Sequence, residues 1–204
     1  MIPSVIQQIE PEPEPERISV CNNAAWATGE IALQCVGDSS VIEPFIPELM
    51  NRLCTILLNP KSQKSLAENA AVTIGRLGLV TPALIAPQLP QFAQAWCTAL
   101  WEIKDNEEKD SAFRGFCMMI AANPSGIQDV SSNVLAGHGI ADNLQSFMWF
   151  CNAVCKWQHP SGHLDAMFRQ ILQGYKSSLG AGWEQLASSF PPVLRQRLRE
   201  RYEV

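Results

Sequence analysis

Cys151, Cys155, His159 and His163 form the run C-x3-C-x3-H-x3-H, and thiolates with imidazoles are the donors of a tetrahedral zinc site. The spacing argues against such a site. The first three would fall at i, i+4 and i+8 on one helix, and only three residues part the Cys pair from the His pair, whereas a finger needs about twelve to fold back around the ion. The four therefore read as helix packing plus a surface loop, and no metal or other cofactor is predicted. Gly137-His138-Gly139 lacks the preceding strand and the following helix of a phosphate loop and reads as a flexible turn. Neither G-x-S-x-G nor H-E-x-x-H occurs, and the 3 histidines join no Ser, His and Asp set that spacing would nominate, so the chain is read as a non-enzyme. Lys104-Asp105-Asn106-Glu107-Glu108-Lys109-Asp110 mixes both signs of charge and reads as a solvated turn between helices.

A second constellation suits recognition instead of catalysis. Ile18, Asn22 and Trp26 are spaced i, i+4, i+8 and share one helical face over about 12 Å. Asn69 and Val72 occupy the equivalent face one repeat later, which places Val72 beside Trp26 on the next helix of its kind. Periodicity alone assigns Trp26 to the core, because a large aromatic at helical spacing is usually buried.

The elements that must carry these residues are legible from an internal repeat. Asn23-Ala24-Ala25 and Gly29 recur 46 residues later as Asn69-Ala70-Ala71 and Gly75. A second pair interleaves with a shift of 43 residues: Pro44-Phe45-Ile46-Pro47 leads to Cys54-Thr55-Ile56-Leu57, and Pro87-Gln88-Leu89-Pro90 leads to Cys97-Thr98-Ala99-Leu100. Each unit thus has an A helix opened by prolines, a turn, and a B helix with small residues on one side. Two helices filling a period of about 40–47 residues predict an all-α solenoid of HEAT repeats, with about four helical pairs and a terminal helix. Ala24, Ala25, Ala70 and Ala71 would let B helices approach to about 8–10 Å between axes.

A weaker third copy stands at Asp110-Ser111-Ala112-Phe113, with Phe113 in the place of Trp26 and Val72. A fourth pair spans Phe147–Trp157 and Leu164–Tyr175, and Trp183–Tyr202 reads as a terminal helix whose arginines make a polar end cap. Glu10–Glu16 alternates Glu with Pro and predicts an extended spacer. The stub before it, Ile2–Ile9, reads as the last turns of an A helix, so the chain is expected to be the end of something longer. Residues 127–143 lack helical periodicity and carry Gly137 and Gly139, so they are expected to form a loop excursion and not a repeat of their own.

At 204 residues, 47% hydrophobic and 17% charged, the chain can bury a sizeable core. The net charge of −5 opposes binding to a phosphate backbone, so nucleic acid is not expected as a partner and basic ligands are. Seven cysteines without a framework fit a reducing cytosolic or nuclear compartment, and no apolar run of about 18 residues predicts a membrane span.

The wording ISVCNNAAWATGEI at 18–31, ENAAVTIGRLG at 68–78, DNEEKDSAFRGFC at 105–117 and NPSG at 123–126 resembles the C-terminal end of the transportin family, nuclear import receptors of the importin-beta (karyopherin-beta) superfamily. The resemblance runs in order through almost the whole chain. It implies a HEAT superhelix whose B helices line an inner surface, where cargo carrying a proline-tyrosine nuclear localisation signal lies extended. The positions matching the family's patch for the upstream, hydrophobic or basic part of that signal are Ile18, Asn22, Trp26 and Val72, with Asn69 a weaker match. On this footing Trp26 moves from the core to an accessible face, where an aromatic beside aliphatics makes a natural hot spot. Val72 departs from the family's commoner isoleucine, and residues 127–143 stand as a loop insertion where the family runs directly from the NPSG turn into an apolar helix. The resemblance also implies partners for a full-length receptor, Ran-GTP and nucleoporins, with the Ran site and the site for the proline-tyrosine end in repeats outside this chain. It implies residence in cytoplasm and nucleus. A structural HEAT scaffold, or a truncated non-functional product, is the alternative reading.

Overall fold

The structure, a computed structural model, describes residues 2–128 and 144–204. Its helices are, in chain order, α1 (Ile2–Ile6), α2 (Ile18–Gln34), α3 (Ile46–Leu58), α4 (Lys64–Val80), α5 (Pro82–Ile85), α6 (Leu89–Leu100), α7 (Glu107–Ala122), α8 (Gln145–Lys156), α9 (Gly162–Leu179), α10 (Gly182–Ser189) and α11 (Pro192–Tyr202). Every regular element among the described residues is helical, and the chain is an all-α HEAT-type solenoid. No described helix is long and apolar enough to cross a membrane.

The A helices are α3, α6 and α8, and their neighbours in the stack are each other and the B helices α4, α7 and α9. Pro47 and Pro90 sit in the first turns of α3 and α6, where a missing amide costs no intrahelical bond. In α3 the buried set is Ile46, Leu49, Met50, Leu53, Ile56 and Leu57, a stripe at the 3.6-residue period turned toward the B layer. Trp96 of α6 anchors the two layers together. Its indole N–H donates to the Ala71 carbonyl at 2.7 Å, and its ring stacks on Phe116 of α7 at 3.9 Å with Phe113 edge-on at 4.9 Å.

The B helices approach more closely than side chains would normally allow. Ala25, Ala70 and Ala71 are fully buried, and the Thr73 hydroxyl donates to the Ala25 carbonyl at 2.7 Å across the α2–α4 seam. Between α4 and α7 a Cβ on Gly75 would stand 2.5 Å from the Ala112 carbonyl oxygen, and one on Gly115 would overlap the Gly75 carbonyl. Glycine is required at this crossing for space, not for backbone conformation.

Three expectations change. The segment Trp183–Tyr202 is two helices, because Phe190 before Pro191 is extended (φ −73°, ψ 148°) and ends α10. The proline-glutamate segment is extended only in part: Pro15–Arg17 closes a 3-10 turn, and Arg17 reaches back to Gln8 and Glu10. The charged run at 104–110 is not a solvated turn, since Lys109 is buried and its ammonium bonds the Ile103 carbonyl and Asp105. Of the interval 127–143, Ile127 closes a 3-10 turn after α7 and is fully buried, and Gln128 caps it. Residues 129–143, including Gly137-His138-Gly139, lie outside the described residues.

Candidate functional site

Three bridges climb one face of α2 at four-residue intervals, from Asn22, Trp26 and Glu30. The side-chain amide of Asn69 on α4 donates to Asn22 Oδ1 at 3.0 Å. The indole N–H of Trp26 donates to Glu108 Oε1 at 2.7 Å, reaching past α4 to α7. Arg76 Nη1 on α4 donates to Glu30 Oε1 at 2.6 Å while its Nε donates to Ser111 Oγ on α7 at 3.0 Å. One guanidinium, with only 4% of its side chain exposed, thereby fastens three successive B helices.

The glycine crossing explains the second bridge. Neighbouring B helices at the close end of the usual 8–10 Å spacing, arranged on an arc, let side chains of the first and third meet over the second. Small residues at the seams also leave no hole for an indole, so Trp26 stays outside with 44% of its surface exposed. This corrects the periodicity reading of Trp26 as core. Ile18, Asn22 and Asn69 are half-buried beside it. Val72 does not share the exposed face, being 5% exposed; it lies in the seam, and a ligand would meet little of it. Trp26, Asn22 and Asn69 are thus brought together, Ile18 lies two turns before Trp26 at the start of α2, and Val72 is withdrawn.

Beyond Trp26 the face deepens into a groove of about 870 Å³ with Glu30, Glu107, Glu108 and Asp110 among its walls. Asp110 is paired with Arg114 at 2.9 Å and Glu30 with Arg76, so the carboxylates at the first turn of α7 without a cation among the described residues are Glu107 and Glu108. A helix N-terminus favours negative charge there. The side of the groove near α8 is closed by Asp105, whose carboxylate accepts the backbone amides of Gln158 at 2.8 Å and His159 at 3.0 Å, and the Lys109 ammonium at 3.1 Å. Burial pushes the Asp105 carboxyl up, but the two amides and Lys109 outweigh it and hold it below the ordinary aspartate value. Burial pulls the Lys109 ammonium down, opposed by Asp105, and its charge also lies 4.4 Å from the centre of the Trp157 ring.

The Cys and His run is divided between environments. Cys151 and Cys155 are buried on α8, where burial pushes the Cys155 thiol up to about 11. His159 follows α8 and His163 opens α9, both exposed. Among the described residues no group of three or more His, Cys, Asp or Glu side chains is placed to hold a metal ion.

Glu30, Arg76 and Glu108 escape a reading of the sequence by spacing from Ile18 to Trp26 alone. Glu30 extends that series by one more i+4 step and could have been found. Glu108 could not, because nothing in sequence couples it to a residue 82 positions earlier.

No protein-family model matches the chain. Among curated proteins it is similar to Transportin-1 of Homo sapiens and of Mus musculus, 45% identical over 191 residues that cover 93% of this chain and 19% of the relative. It is 37% identical to Transportin of Dictyostelium discoideum, over 93% of this chain and 18% of the relative. It is also 39% identical to Importin subunit beta-2 of Schizosaccharomyces pombe, over 88% of this chain and 17% of the relative. The chain spans about a fifth of the length of these relatives.

Proposed function

We propose, on the likeness to transportins at 37–45% identity over 93% of this chain, that the chain is a segment of a transportin-type nuclear import receptor and that its B-helix face binds a nuclear localisation signal of a cargo protein. The observation that supports this reading is an indole exposed on the face of stacked B helices and held in one orientation by the hydrogen bond that its N–H donates to Glu108, two B helices away. A fixed aromatic loses little freedom on binding and offers a large apolar surface with polar amides beside it, which is the composition of an interface hot spot.

The peptide would lie across α2, α4 and α7 with its apolar residue on Trp26 and its backbone or polar groups on Asn22 and Asn69. Ile18 lies farther along, and Val72 acts from beneath by setting the α2–α4 spacing. The signal class is the proline-tyrosine type, of which this chain takes the upstream, hydrophobic or basic portion. Ran-GTP, nucleoporins and movement between cytoplasm and nucleus are proposed for a full-length receptor containing this segment. The role is binding, without catalysis.

Calorimetry with a full signal peptide, with a peptide whose proline-tyrosine pair is changed to alanine, and with the Trp26→Ala chain tests this. Weak binding that survives the proline-tyrosine change and is lost on Trp26→Ala is expected. Unchanged binding by Trp26→Ala, or dependence on the proline-tyrosine pair, would refute the site. A scaffold role without peptide binding predicts no heat with any of the peptides.

A further inference from the structure

We infer that Glu108 decides which side chain the Trp26 surface accepts, favouring a cationic ligand residue over a neutral one of the same shape. The inference rests on the peptide-binding reading above and names the chemistry of one ligand position within it.

The bond from Trp26 to Glu108 uses one carboxylate oxygen, Oε1. A carboxylate accepts at about four lone-pair sites on two oxygens, so Glu108 keeps most of its capacity. Among the described residues it forms no ion pair, in contrast to Glu30 and Asp110 on the same groove, which hold Arg76 and Arg114. An unbalanced carboxylate is therefore fixed at the edge of an indole whose face is open. The face of an indole carries negative potential and attracts a cation lying within about 6 Å of the ring centre. Donation of the N–H to an anion pushes electron density into the ring and strengthens that potential.

A guanidinium or ammonium laid on the ring toward its N–H edge meets the π face and the spare capacity of Glu108 together. An aliphatic side chain meets the ring only, and a neutral polar one can donate to Glu108 but brings no charge to either the ring or the carboxylate. Arginine suits the site best, since its plane can stack on the indole while its N–H groups point at the carboxylate. No covalent step is involved, and the charge of Glu108 is the quantity on which selection depends.

The test uses the 204-residue chain and two peptides with the basic-hydrophobic composition of the upstream signal, one containing arginine and its twin containing citrulline, which has the same shape without charge. Calorimetry on the wild type is expected to favour the arginine peptide by about tenfold. Glu108→Gln keeps an oxygen for the indole N–H but removes the charge, so the preference for arginine over citrulline should fall to about two- to threefold. The thermal midpoint of Glu108→Gln should match the wild type, which separates selection from folding. An unchanged preference in Glu108→Gln overturns the inference. Trp26→Ala distinguishes the two levels: loss of both peptides together with an unchanged preference in Glu108→Gln removes only the role of Glu108, whereas full binding by Trp26→Ala, or none by the wild type, removes the peptide-binding reading as well.

Discussion

Gly75 faces the backbone of Ala112 at a distance that leaves no room for a side chain: a Cβ there would stand 2.5 Å from the Ala112 carbonyl oxygen. The contact lies between helix backbones, which cannot turn aside as a side chain can. The spacing of α4 and α7, and with it the reach of Trp26 to Glu108, depends on this glycine.

Gly75→Ala is expected to force α4 off α7 and to destabilise the chain by on the order of 3 kcal/mol. Urea unfolding followed by circular dichroism measures the loss. The same variant should show a shifted Trp26 indole N–H resonance, because the Glu108 acceptor moves away. A stability equal to wild type would mean that the two helices can part at no cost.

Arg76→Met should cost about 2–4 kcal/mol, since it removes a buried charge-assisted bridge from Glu30 and leaves Ser111 without its donor. Arg76→Lys should recover only part of this. A single ammonium cannot reproduce the two directions taken by Nη1 and Nε. Paired unfolding curves of the two variants decide whether fork geometry or charge alone matters.

The Asp105 carboxylate is held below the ordinary aspartate value of 3.8, so between that value and its lower folded one the unfolded chain binds more protons than the folded chain. Its contribution to stability is therefore complete above about pH 4 and drains away as pH falls through the folded value. Asp105→Asn should be less stable at neutral pH and show a flatter loss of stability below pH 4. Identical acid slopes for the two proteins would rule out the assignment.

Ile127→Ala should destabilise by about 2–5 kcal/mol, the range for emptying a fully buried aliphatic site. Thermal unfolding checks it, and a neutral result would mean that the turn after α7 does not close the core.

Much of this fold was readable because the repeat writes it twice. Asn23-Ala24-Ala25 and Asn69-Ala70-Ala71 mark two B helices, and Pro47 and Pro90 mark two A helices, each through a local steric rule. The end of α10 was also written locally, in Phe190 before Pro191, and a rule on residues preceding proline would have found it. The site was less readable. Exposure of Trp26 depends on how closely its neighbours approach, and burial of Val72 on which side of the seam its short branched chain falls. Lys109 looked like a surface lysine because the Trp157 ring over its ammonium arrives only when α8 docks, although Asp105, its partner four residues earlier, was written locally. Pairings between repeats are set by the arc of the stack, and no window of sequence contains that arc.

Arg76 acts on the stack as a rivet through three leaves of a spring. Bending that spreads α2, α4 and α7 must stretch short, charge-assisted bonds at 2.6 and 3.0 Å, so this stretch is stiff. The next seam is built differently: α7 and α9 meet through ring edges, Phe113 against Phe168 at 5.9 Å, beside an apolar groove of about 390 Å³ lined by Cys117, Met167 and Ile171. A ligand confined to Trp26 and the groove beyond it would therefore rest on three B helices fastened by one guanidinium, while one that crosses to α9 would rest on a seam of rings, held at its ends by Asp105 on the Gln158 and His159 amides and by Tyr175 on the Pro124 carbonyl.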